Sequence, residues 1–217
     1  MCGNASECSA IWAFVCASQG PGSPNPTPLK SKLLKKLRRL AKKKDVELWN
    51  IDECHFQQHG TRTRMWVPPE IKDPVLWHAP VRKSVACFGA VSLKTGKFIR
   101  AVSDHFNART FEYFLKKLLR CRARGKRMVI ILDNARYHHA ILLIPLLKKY
   151  RHVLRLLFLP PYSPQLAPIE RVWKLARRLA THNQYFATLG AMVEAAMSCL
   201  DRWRKPNCAL RKLCGIN

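Results

Sequence analysis

The chain has 217 residues and carries 39 Lys and Arg against 13 Asp and Glu, a formal charge of +26. That length supports one substantial domain with a hydrophobic core. The charge opposes compaction and suits a polyanionic partner, either a nucleic acid or an anionic membrane surface. No run approaches the roughly 20 apolar residues of a membrane span, and the short apolar stretch Ser9 to Ala17 has no preceding basic residue, which argues against a secretory signal.

Residues 1–28 lack periodicity and end in the breaker-rich "GPGSPNPTP", so they are expected to be an irregular leader or linker. Residues 29–45 follow as a basic helical arm with nine Lys and Arg between Lys30 and Lys44. Its Leu33, Leu37 and Leu40 share one face, with Leu34 and Ala41 beside it. Either a solvated amphipathic helix or an arm lying on phosphates fits that pattern. From Val46 the pattern is α/β. "VELWNIDE" alternates as a half-buried strand, and "SVACFGAVSL", Lys94–Lys97 and "FIRAVSD" form a hairpin around a Gly-containing turn. "NARTFEYFLKKLLRC" has apolar residues at helical spacing, and "MVIILD" is a continuous apolar run suited to a strand covered on both faces. "HHAILLIPLLKKY" reads as a helix interrupted by Pro145, and "VLRLLFLP" as a further strand. Two helices close the domain, Pro168 to about Thr181 and Ala187 to about Trp203. The order predicts one α/β domain over 46–206, a mixed sheet with helices on both faces, and a C-terminal tail over 207–217.

The nine cysteines form no CxxC pair, and Cys54, Cys87 and Cys121 lie singly in or near apolar segments. They are expected to be free thiols in a reducing compartment. Three acids occupy marked places: Asp52 at the end of the first strand, Asp133 at the end of the apolar strand, and Glu170 in the first turn of the helix after the last strand. Each alone suits a turn or a helix start. Functional groups nevertheless gather at the carboxyl ends of parallel strands. If the first and fourth strands pair in parallel, Asp52 and Asp133 lie side by side and Glu170 can close over them. Clustered carboxylates without counter-charge call for divalent metal, and hard oxygen ligands favour Mg²⁺, with Mn²⁺ as a substitute. Two such ions could activate a water or a 3′-hydroxyl at a phosphodiester.

The blocks "DECHFQQHGTRTRMWVP", "LDNARYHHA" and "LPPYSPQLAPIERVWK" resemble the three catalytic blocks of DDE transposases, in the bacterial insertion-sequence branch (insertion sequence 630 type) of the Tc–mariner superfamily. The resemblance runs from about Lys30 to Trp203. It implies a ribonuclease H-like fold, two Mg²⁺ ions, and cut-and-paste chemistry on DNA, with Asp52, Asp133 and Glu170 as catalytic residues and metal ligands. The 36 residues between Asp133 and Glu170 slightly exceed the family's most common spacing. By the same resemblance Arg64, Asn134, Arg136 and His138 are candidate DNA contacts, joined by Lys174, Arg177 and Arg178 on the basic helix. Trp66 matches the first block as a packing residue more than as a stacking platform.

Two departures bear on the site. Gln165 stands where the family often has an acid, and Ala167 where it usually has Asn. With Pro168 at the first helical position, Ala167 is expected to be the N-cap, which Ala cannot fill. Relatives also carry N-terminal helix-turn-helix modules that read the transposon ends. Residues 1–29 show no such pattern, so the chain is expected to be the catalytic half, partnered by DNA, by a separate helix-turn-helix half encoded upstream and, where it assembles, by a second copy as a homodimer. A bacterial cytoplasmic, nucleoid-associated location follows from the resemblance. Two competitors remain: a DNA-binding remnant that no longer transposes, and a host nuclease that cleaves without joining.

Overall fold

In the computed structural model the described residues are 28–60, 62–64, 67–70, 77, 82–160 and 166–215. The expected leader (beyond Pro28), Trp66 and Gln165 lie outside them. Helix α1 (Pro28–Lys42) leads into β1 (Val46–Gln57), the antiparallel pair β2 (Ser84–Ser92) and β3 (Phe98–Ser103), helix α2 (Ala108–Arg120) and β4 (Arg127–Leu132). Two 3₁₀ turns (Arg136–His139 and Ile141–Leu143) precede α3 (Ile144–Lys149), β5 (Leu154–Phe158), α4 (Ile169–Ala180), α5 (Leu189–Asp201) and α6 (Cys208–Leu213). The sheet order is β3-β2-β1-β4-β5. β1 pairs with β2 and β2 with β3 antiparallel, whereas β1–β4 and β4–β5 are parallel.

Alternation along β1 sorts its side chains between two cores. Val46, Leu48, Cys54 and Phe56 join α1, α4, α5 and α6 on one face, while Trp49 and Ile51 join α2 and α3 on the other. This is the mixed sheet with helices on both faces that the sequence predicts.

Three local expectations change. The 29–45 segment is an integral part of the domain, because Leu37 is 1% exposed and Leu33, Leu40 and Ala41 pack on the same core. The segment expected as a tail over 207–217 is, as far as it is described (207–215), built into the domain: Asn207 caps α6, whose Leu210 and Leu213 are buried, and Arg171 on α4 donates to the Leu213 carbonyl at 2.8 Å. Pro145 does not interrupt a helix. It lies in the first turn of α3, where its missing N–H has no partner to lose, and the residues before it wind as 3₁₀.

Two glycines fix how the parts dock. Gly96, with φ +69° in the β2–β3 turn, lies so close to α6 that an added Cβ would stand 2.0 Å from the Asn207 carbonyl oxygen. Gly89 lies opposite Asp52 in the β1–β2 register, and a Cβ there would meet the Trp173 ring at 2.4 Å. Its bare backbone lets Trp173 lie across β2.

Candidate active site

The parallel β1–β4 register pairs Asn50 with Ile131. Two residues beyond that last pair, Asp52 and Asp133 come level where the parallel pairing ends, as predicted, but Asp52 does not end its strand: β1 runs on to Gln57, held by β2 alone. They do not share an environment. Asp52 points toward α4, where the Trp173 indole N–H donates to its Oδ2 at 3.1 Å. Burial pushes its carboxyl up to about 7, and the negative charges of Glu53 and Asp133 push it the same way. No described cation pairs with it.

Asp133 sits just past β4 and is exposed, with a side-chain accessibility of 58%. Its Oδ1 accepts from the Ala135 backbone N–H at 3.0 Å and lies 3.0 Å from His138 Nδ1. That bond to His138 is the main reason its carboxyl is held below the usual range. Asp52, half-buried, is thus the acid that lacks a cationic partner among the described residues, whereas Asp133 has His138.

The sequence reading missed Glu53. The strand pleat sends it to the opposite face from Asp52, where its Oε1 lies 3.2 Å from His138 Nε2. His138 is 2% exposed and stands between two carboxylates, one on each ring nitrogen. Both nitrogens can donate only in the imidazolium form. Burial alone would lower its pKa, but the Asp133 and Glu53 carboxylates prevail and hold it up at about 9. Ligand atoms of Glu53, Asp133 and His138 all lie within 4.8 Å of one another. His138 is therefore not a phosphate contact: its ring is buried and both nitrogens are engaged.

Glu170 is half-buried in the first turn of α4 and makes no ligating cluster with the other two acids among the described residues. Its helix is nonetheless tied to this edge at two points. The Ile169 N–H donates to Asn50 Oδ1 at 3.0 Å, and Trp173 reaches Asp52. Asn50 is completely buried and also donates to the Ile131 carbonyl at 3.0 Å. The N-cap position of α4 is Pro168 rather than Ala167, so Asn50, remote in sequence, supplies the acceptor that the expected cap lacks.

The remaining candidates divide. Arg64, Arg136, Lys174 and Arg178 are exposed. Asn134 donates to the Leu159 carbonyl at 2.6 Å, which ties the loop after β4 to the end of β5. Arg177 turns inward: it donates to Cys54 Sγ at 2.9 Å and stands over the Phe56 ring, so the expected phosphate contact is a packing residue. The six described cysteines are free thiols, as expected.

Asp52 and Asp133 thus lie level where the parallel β1–β4 pairing ends, and Asp133 shares a group of possible ligand atoms with Glu53 and His138. Residues 47–193 match the family described as DDE superfamily endonuclease. An uncharacterised protein of Sinorhizobium fredii is 32% identical over 118 residues, which cover 54% of this chain and 82% of that one. In fold the chain is similar to the Mos1 transposase paired-end complex with left transposon end, at TM-score 0.61 and 18% identity over 94% of this chain and 66% of that one. It is also similar to the Mos1 mariner paired end complex with Mg, at TM-score 0.55 and 20% identity over 90% of this chain and 63% of that one. The chain thus spans just under two thirds of those transposases, and the shared architecture is the ribonuclease H-like fold of transposase catalytic domains. The chain belongs to the DDE superfamily endonuclease family.

Proposed function

We propose that this chain is the catalytic domain of a Tc–mariner-type DDE transposase, of the bacterial insertion-sequence branch, which hydrolyses DNA phosphodiesters and transfers strands with two Mg²⁺ ions. The observation that carries this is the level placement of Asp52 and Asp133 where the parallel β1–β4 pairing ends, with Asp52 half-buried beside the negative charges of Glu53 and Asp133. A hard divalent cation fits that donor set. Asp52 and Asp133 would hold it and Glu170 would complete the site from α4. When bound, the ions supply Lewis-acid polarisation of the phosphate and an activated water or 3′-hydroxyl. The protein's own part is positioning. Trp173 fixes the Asp52 carboxylate, His138 (itself held by Glu53) holds Asp133, and Asn50 anchors the turn that carries Glu170. Exposed Arg64, Arg136, Lys174 and Arg178 would bind backbone phosphates on either side of the cut.

Nicking of supercoiled plasmid by the purified chain with Mg²⁺ tests the proposal. Asp133→Asn is expected to abolish nicking while DNA affinity stays equal or rises slightly, since one negative charge leaves the phosphate path. A variant that nicks as fast as the parent would remove Asp133 from the active site. DNA retardation without nicking by the parent would favour a binding remnant. The departure at Ala167 does not support decay, because Asn50 already satisfies the helix start.

A further inference from the structure

A second concentration of charge lies at the other end of the sheet. A cleft of about 290 Å³ opens between α1 and the amino ends of β4 and β5. Lys36, Lys43, Arg127, Arg151 and Arg155 line it with His152, and no acid does. These cations come from separate segments that the fold brings together: α1 and the turn after it, β4, the loop before β5, and β5. All five are exposed. Only Arg127 has a carboxylate partner, Asp45 at 2.7 Å; none of the other four is in a salt bridge among the described residues. The apolar part of the lining includes Leu40, Val46, Met128, Val153 and Leu157.

Positive charge extends beyond the cleft. The Lys94 ammonium is held below its ordinary value by burial and then by Lys126, and it donates to the Lys43 carbonyl. Such a grouping is self-repulsive unless an anion neutralises it. Arg127 to Asp133 spans six residues of extended chain, about 20 Å. The cleft therefore lies well away from the carboxylate edge and cannot serve the same phosphate.

We infer that this cleft is a second contact for the sugar–phosphate backbone of DNA, separate from the catalytic edge, so that one chain holds DNA at two places. The inference rests on DNA being the polyanion, as in the proposed function. A cleft this small admits a backbone phosphate and its sugar, not a duplex groove, so the contact would carry affinity without sequence readout.

The test compares two triple variants of the full chain on a random-sequence duplex, without divalent metal, over a range of salt. One variant is Lys36→Gln, Arg151→Gln and Arg155→Gln in the cleft. The other is Arg120→Gln, Arg204→Gln and Lys205→Gln, which removes the same charge from exposed positions outside it. For every phosphate that is no longer neutralised, the log–log salt slope should flatten by about 0.9. The cleft variant is expected to lose about 2 to 3 in slope and the control clearly less. Equal losses in both variants would mean diffuse attraction and overturn the inference, as would no loss in the cleft variant. Arg155→Gln alone should give about a third of the effect, which guards against a misfolded triple variant. Plasmid nicking by the parent is scored separately. Nicking with equal slopes removes the cleft and leaves the enzyme; a cleft-specific slope without nicking does the reverse.

Discussion

At the scale of single residues, the charges of the site are arranged against the stability of the metal-free protein. Asp52 has its carboxyl pushed from an ordinary 3.8 up to about 7 by burial and by neighbouring carboxylates. The folded state therefore holds this proton more tightly than the unfolded chain does. Ionisation works against folding: the penalty is absent below the ordinary value, grows as pH rises, and is complete above about 7. Asp52→Asn keeps an acceptor for Trp173 and removes the charge. In chelator at pH 8 it is expected to stabilise the protein by roughly 2–4 kcal/mol, and at pH 4 by little. Urea unfolding of both proteins at the two pH values measures this. Equal stability at pH 8 would mean that the Asp52 charge is already compensated. Mg²⁺ should raise the parent's stability and have less effect on the variant. Asp133 was legible in the sequence because it ends an apolar run; Asp52 was picked out as a strand end, although β1 runs on to Gln57. Glu53 was not, although its alternation with Trp49 and Ile51 places an acid on an apolar face and so demands a partner. That partner is His138, 85 positions away, and no local pattern names it.

At the scale of elements, the junction between β1 and α4 decides where Glu170 sits. The sequence located the helix start within one residue but misjudged its cap, because capping rules look to the preceding residue and this acceptor comes from a central strand. Asn50→Ala would leave the Ile169 N–H and the Ile131 carbonyl without their buried partner. It should cost about 1–3 kcal/mol and reduce nicking as the Glu170 turn loosens. Ala167→Asn should give no rise in thermal midpoint, since the helix is already anchored and Ala167 packs on the core. A gain near 1 kcal/mol from Ala167→Asn would show that Asn50 does not fill this role. Gly89→Ala tests the same junction from β2. Its Cβ would meet the rings of Trp173 and Phe98, both buried, so one of them must move. A loss of about 1–3 kcal/mol is expected, with a drop in nicking as Trp173 withdraws from Asp52. Unchanged melting and activity would mean that the ring has room to shift. The helix over 208–213 escaped the sequence reading because it is short, and its packing against α4 and the β2–β3 turn, not its periodicity, holds it.

At the scale of the whole molecule, the order of strands and helices was legible because each long element carries its own period. What the sequence could not show was which basic residues are structural. Leu37 buries α1 against the sheet and Arg177 turns into the core, so the charge is distributed over a compact body and not gathered on a detachable arm. Deleting residues 1–44 would uncover part of that core, and a change in DNA affinity would then mix unfolding with the removal of basic groups. Salt separates the two effects. The few ion pairs present, such as Arg100–Asp201 and Arg127–Asp45, are partly or well exposed and contribute little, whereas the charge of +26 repels itself over the whole surface. Raising salt from about 50 mM to 500 mM shortens the Debye length from roughly 14 Å to about 4 Å and should raise the thermal midpoint of the free protein. The same change should weaken DNA binding steeply, because counterions released into concentrated salt gain less entropy. Stability and affinity are thus expected to move in opposite directions across one titration, with scanning calorimetry and binding isotherms as the two readouts. A midpoint that falls with salt would mean that specific ion pairs, and not repulsion, dominate the electrostatics of this fold.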